Sequence, residues 1–194
     1  MAHKTMVGGT SYSVTGGTSM VSGTTYNIKK GKTLVGGTGY DINFDSVIID
    51  MTPYAMLYSD GSMVFQHGDK VESGKTLSNK YTGFCETSYA NSGVVPWNSS
   101  INNIKNVSFR DEISPISIAY WFYNSRNLIT INMVNFNWSK VTNMSHSYIR
   151  GYNLTGSPVC GNNVTNMYRA YANCPNLTGS PVCGDRVIDM FSTY

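Results

Sequence analysis

The nine residues NLTGSPVCG stand at positions 153–161 and again, letter for letter, at 176–184. The same step carries Val141-Thr142-Asn143-Met144 to Val164-Thr165-Asn166-Met167, and on to Val187-Ile188-Asp189-Met190. Within a unit, Leu154 to Val159 is short, contains Thr and is bounded by Gly, which predicts a strand with its turn. Val164, Met167, Tyr171 and Cys174 then fall at i, i+3, i+7 and i+10, the spacing of one face of a short helix. A unit this small cannot cover its own apolar face, so successive units must stack. The expected repeat core comprises Leu128, Met144, Tyr148, Leu154, Val164, Met167, Tyr171, Cys174, Leu177 and Met190.

This 23-residue period lies within the 20–29 residues of leucine-rich solenoids. Asn163-Val164-Thr165-Asn166-Met167, followed by Tyr171 and then Asn173-Cys174-Pro175-Asn176-Leu177-Thr178, resembles the rhythm of the BspA-like leucine-rich repeats. A more diverged unit reads Trp121-Phe122-Tyr123-Asn124, then Asn127-Leu128 and Phe136-Asn137-Trp138. One spacing is shared by Phe122 and Leu128, Tyr148 and Leu154, and Tyr171 and Leu177. The resemblance runs from Ile104 to Tyr194 with a lead-in from Tyr54, and departs from the family where NLTGSPVCG puts Gly, Ser and Pro into the leucine-rich strand. It implies a surface or adhesive module.

A second repeat occupies residues 1–42. Thr5 to Val14 recurs as Ser19 to Ile28 and as Thr33 to Ile42, a 14-residue period. Each copy joins a short apolar pair to an alternating Thr-x-Tyr-x-Val/Ile run through Gly-Gly or Ser-Gly, a hairpin signal. The segment resembles the opening repeats of structural proteins of phages of Gram-positive bacteria. That resemblance implies docking on other virion proteins, and so few residues with an aromatic face also predict a homo-oligomer.

Residues 43–103 read as a connecting β domain that caps the stack. Tyr54–Tyr58 and Ser62–Gln66 flank Asp60-Gly61, a type I′ hairpin signal; further strands are expected at Thr76–Tyr81 and Phe84–Tyr89, and Pro96-Trp97-Asn98 marks a turn. The expected fold class is mainly β with short helices: N-terminal β-hairpin repeats, a connecting β domain, and a leucine-rich-repeat-type α/β solenoid over 104–194. Met190 to Tyr194 matches Met167 to Tyr171, so the sequence stops inside a unit, as a fragment of a longer array would.

Composition limits the chemistry. Charged residues are 13% of the chain and the net charge is +3, too little to argue for nucleic acid. No apolar run reaches a membrane span, and the N-terminus lacks the apolar core of a signal peptide, which favours synthesis in the cytoplasm unless a leader has been removed. Gly74-Lys75-Thr76 lacks the upstream glycine of a phosphate loop. His3, His67 and His146 are scattered, Asp111 and Glu112 are adjacent rather than paired, and no cofactor, metal or catalytic cluster is expected. The repeat asparagines Asn143, Asn153, Asn163 and Asn176 fall in Asn-x-Ser/Thr triplets, and are expected to cap helices or satisfy turn backbone. Cys160 and Cys183 hold one phase of the repeat, so they should stack on neighbouring units, either as a ladder of free thiols or, if their Cα atoms approach within about 7 Å, as a disulfide.

What remains is a surface. Ser145, His146, Tyr168 and Arg169, with Arg150 at the next turn, are expected to face outward, and Tyr and Arg suit contact with a glycan or protein. The expectation is a non-enzymatic phage virion protein of the tail- or head-fibre type, on the particle exterior, binding a host-surface protein or glycan. A cell-surface adhesin of a bacterium or protist and a fibre-attached glycan-degrading enzyme are the alternatives.

Overall fold

The computed structural model describes residues 50–179 and 183–193 fully, and the backbone of four strands between residues 3 and 42. The chain divides into two compact units, Met1–Thr52 and Pro53–Tyr194. It is mainly β, with few helices.

In the first unit β1 (His3–Val7) and β2 (Thr10–Val14) form one antiparallel hairpin, and β3 (Gly31–Val35) and β4 (Thr38–Ile42) form another. Their registers are the same: Thr5 opposes Tyr12 as Thr33 opposes Tyr40. β2 and β3 pair antiparallel to complete a four-stranded sheet. The middle copy of the repeat, Ser19 to Ile28, lies outside the described residues.

The second unit is built on a mixed sheet in the order β7-β5-β6-β8-β9, from β5 (Pro53–Tyr58), β6 (Ser62–His67), β7 (Leu77–Tyr81), β8 (Asn106–Phe109) and β9 (Thr130–Asn132). This sheet runs across residue 104, the expected start of the repeat region. Period-2 alternation sends Ala55, Leu57, Met63 and Phe65 into the main core and Met56, Tyr58 and Val64 into a smaller one on the opposite face. The Asp60-Gly61 hairpin forms, but with a three-residue loop in place of the expected type I′ turn. Gly61 alone takes a left-handed φ of 88°, and its amide donates to Tyr58 O at 3.0 Å, the pattern of a type I turn closed by a glycine bulge. A Cβ on Gly61 would stand 2.8 Å from Lys105 Cδ and 2.9 Å from Asn103 O, so the turn also needs glycine to lie against the lead-in to β8.

β6, β8 and β9 pair in parallel, and the pairing continues as single bridges from Ile113 to Phe136 and along Ser117, Asn143, Asn166 and Asp189. Each of those four places its side-chain oxygen to accept from the amide two residues on: Ser117 from Ala119, Asn143 from Ser145, Asn166 from Tyr168, Asp189 from Phe191. The local turn they form is the kind short polar side chains favour.

Three expected elements differ in the structure. Residues 164–174 are not helical, and neither 154–159 nor 84–89 is a strand. The amides that a helix would turn back on itself instead reach the next segment: Met144 to Asn166 O, His146 to Tyr168 O, Tyr148 to Ala170 O and Arg150 to Ala172 O, at 2.8–2.9 Å. From the following segment Met167, Arg169 and Tyr171 donate to Asp189, Phe191 and Thr193 in the same way, at 2.7–3.0 Å. Extended backbone would point alternate amides in opposite directions; left-handed residues in these segments, at His146, Arg150, Arg169 and Asn173, allow them to point one way. The helices present among the described residues are short 3-10 turns, at Ser92–Val94, Asn98–Asn103 and Trp138–Lys140.

The repeat asparagines serve the backbone, though not as helix caps. Asn127, Asn153, Asn163 and Asn176 donate from Nδ2 to Asn102 O, Arg126 O, Ser139 O and Tyr152 O, each in the preceding segment, at 2.7–2.8 Å. Of the expected repeat core, Leu128, Met144, Tyr148, Leu154, Val164, Met167 and Tyr171 are buried, Cys174 and Leu177 are half-buried, and Met190 is 52% exposed.

Candidate functional site

Three places after Ser117, Asn143, Asn166 and Asp189 the residue is left-handed: Tyr120, His146, Arg169 and Ser192, at φ 62°, 58°, 52° and 52°. The residue seven places after is left-handed too, at Asn124, Arg150 and Asn173. Such a conformation costs a non-glycine residue about 1–2 kcal/mol. It is offset because Tyr120, His146, Arg169, Asn124 and Arg150 all donate their amides to the next segment.

Beside these turns the side chains line up as a column of rings. Tyr120 stacks on His146 at 4.6 Å between centroids and 6° between planes; His146 meets Tyr168 at 5.1 Å; Tyr168 stacks on Phe191 at 5.7 Å and 14°. Tyr123 joins from the side at 5.9 Å from Tyr120. The Arg169 guanidinium sits 5.3 Å from the Tyr168 ring centre, close enough for cation–π attraction. Phe191 is 64% exposed, Arg169 is exposed, and Tyr120, Tyr123, His146 and Tyr168 are half-buried.

The structure thus brings His146, Tyr168 and Arg169 together. Arg150 is exposed in the second left-handed set, and among the described residues it shares no ring or ion contact with them. Ser145, expected on the surface, is buried; it lies between the bridge and the turn. Sequence reading missed Tyr120 and Phe191. The signal for Phe191 was there, since it follows Tyr168 by one period of the repeat. The interval from Ser117 to Asn143 is longer than that period, which hid Tyr120.

Burial pushes the His146 imidazole below its ordinary value of 6.5, and the nearby Arg169 charge pushes the same way. The neutral ring therefore stacks on Tyr120 and sits tilted against Tyr168. A folded value below the unfolded one means the unfolded chain takes up the proton first as the solution is acidified. Stability is full above 6.5 and falls as pH drops through it towards the folded value. The thermal midpoint of the wild type is expected to decline between about pH 7 and pH 5 more steeply than that of His146→Asn, which keeps a residue tolerant of the left-handed turn and removes the titration.

The other groups considered for chemistry are tied into the scaffold. Lys75 pairs with Glu72 at 3.0 Å and Asp60 at 3.3 Å beside a left-handed Gly74, so Gly74-Lys75-Thr76 is a turn. Asp111 accepts from the His67 amide at 2.8 Å, and Glu112 from Asn137 Nδ2 at 2.7 Å. Compared with known proteins, the chain matches no family model, no curated protein and no solved structure.

Proposed function

We propose that this chain is a structural and recognition protein of a bacteriophage particle, in which residues 104–194 form a BspA-like leucine-rich-repeat-type solenoid presented to the bacterial surface. Residues 1–42 dock it on other virion proteins and assemble it with further copies of itself. The column Tyr120-His146-Tyr168-Phe191, flanked by Arg169, carries the reading. Its segments bridge in succession through Ser117, Asn143, Asn166 and Asp189, so one chemical pattern recurs at the spacing of stacked backbones. Flat rings with polar edges and a guanidinium suit a glycan, whose apolar ring faces stack and whose hydroxyls accept and donate. Each contact is weak, and repetition along the array and among copies raises the avidity. The resemblance of residues 1–42 to phage structural proteins supports the particle assignment.

Mass spectrometry of purified phage particles from the source should detect this chain; its absence from them overturns the virion role. Labelled full-length chain should bind intact Gram-positive host cells and their wall polysaccharide. The double variant Tyr168→Ala, Arg169→Ala should bind at least roughly tenfold more weakly, the loss expected on truncating two contact anchors. Undiminished binding would remove this column as the contact surface.

A further inference from the structure

The duplicated NLTGSPVCG leaves two cysteines one above the other, and a third sulfur lies between them. Cys160 Sγ is 3.4 Å from Met167 Sδ, and Cys183 Sγ is 3.1 Å from the same atom. Cys85, Cys160, Cys174 and Cys183 are all present as thiols rather than disulfides. Met167 is fully buried and forms the floor, while Cys160 and Cys183 are half-buried and open to solvent.

We propose that Cys160, Cys183 and Met167 form a binding site for a soft monovalent metal ion, Cu(I), held by two thiolates and one thioether. Thiolate and thioether sulfur are the donors that select Cu(I). Zn(II) takes four ligands from Cys, His and carboxylates in structural sites, and the described residues hold no cluster of three or more such groups. Metal–thiolate bonds of the zinc length, about 2.3 Å, would place the three sulfurs of a trigonal site about 4 Å apart. The two separations from Met167, 3.4 and 3.1 Å, need to open by less than about 1 Å, within the reach of its flexible side chain.

Binding involves no change of oxidation state. Two S–H bonds release their protons to solvent, two sulfur–metal bonds form to the resulting thiolates, and a lone pair of Met167 Sδ supplies the third. The product carries one net negative charge. Because the cysteines bind as thiolates, binding strengthens as pH rises. This assignment does not depend on the virion role.

The test uses the full, reduced chain under anaerobic conditions, titrated with Cu(I) as its acetonitrile complex against bathocuproine disulfonate. The expected result is one Cu(I) withdrawn per chain, with two protons released per ion to a weakly buffered indicator. The double variant Cys160→Ser, Cys183→Ser should withdraw none. Met167→Leu, which keeps the buried volume, should bind at least roughly tenfold more weakly with an unchanged circular dichroism spectrum. Cys85→Ser, Cys174→Ser should behave as wild type. No withdrawal by the wild type, equal withdrawal by the double Cys160/Cys183 variant, loss in the Cys85/Cys174 variant, or displacement of Cu(I) by an equimolar Zn(II) salt would each overturn the site.

Discussion

Phe65→Ala is expected to destabilise residues 53–194 by about 3–5 kcal/mol, the range for deleting a buried aromatic ring without collapse of the site. Phe65 is fully buried on β6, and four rings close on it: Phe84 at 5.3 Å, Trp97 at 5.6 Å, Phe109 at 4.7 Å and Trp121 at 5.5 Å between centroids. Such pairs contribute about 0.5–1.5 kcal/mol each beyond area burial. Collapse into the hole is resisted because the neighbours are fixed independently: Phe109 by the parallel register of β8 against β6, Trp97 by donating Nε1 to Trp121 O at 2.6 Å. The substitution therefore removes the joint between the hairpin and the bridged segments. Urea denaturation followed by tryptophan fluorescence measures it, and a midpoint shift equivalent to less than about 1 kcal/mol would show that the cluster repacks.

Much of this was legible in the order of residues alone. The duplicated NLTGSPVCG and its flanking Val-Thr-Asn-Met located the segments that bridge one another, and alternation in Tyr54–Tyr58 and Ser62–Gln66 located the hairpin at the centre of the sheet. The spacing of Val164, Met167, Tyr171 and Cys174 misled, for a physical reason. An apolar residue every three or four positions marks a helix face, but it also marks a chain that turns inward at each left-handed residue. Glycine normally announces such residues; here they are Tyr120, Asn124, His146, Arg150, Arg169, Asn173 and Ser192. Only the asparagines carry a local preference for that conformation. The conformation is imposed by amides reaching the next segment, an interaction between residues far apart in sequence that no local window contains. The ring column shares that origin. Tyr168 and Arg169 were visible as contact residues, whereas the stacking of Tyr120 on His146 depends on which segments lie side by side.

The same inter-segment logic gives opposite expectations for two substitutions at Tyr148. Phe122, Tyr148 and Tyr171 stack through the interior at 5.8 Å and 5.0 Å, with planes within 11° and 10°. Tyr148→Ala breaks that column at its middle and is expected to cost about 3–5 kcal/mol. Tyr148→Phe keeps the ring and removes a hydroxyl that is buried without a hydrogen-bond partner. Desolvating such a group costs about 1–3 kcal/mol, so Tyr148→Phe is expected to raise stability by about 1 kcal/mol, part of the penalty being recovered. Two neighbours support that sign. The preceding segment already uses Phe122 in the column. In the following one, Tyr171 uses its hydroxyl, accepting from the Val159 amide at 3.1 Å and donating to Val159 O at 2.5 Å. Tyr171→Phe should therefore lose stability, by about 0.5–1.5 kcal/mol, where Tyr148→Phe gains it. Thermal and urea unfolding of the three variants check the pattern, and a Tyr148→Phe chain less stable than wild type would mean that the buried hydroxyl has a partner in solution.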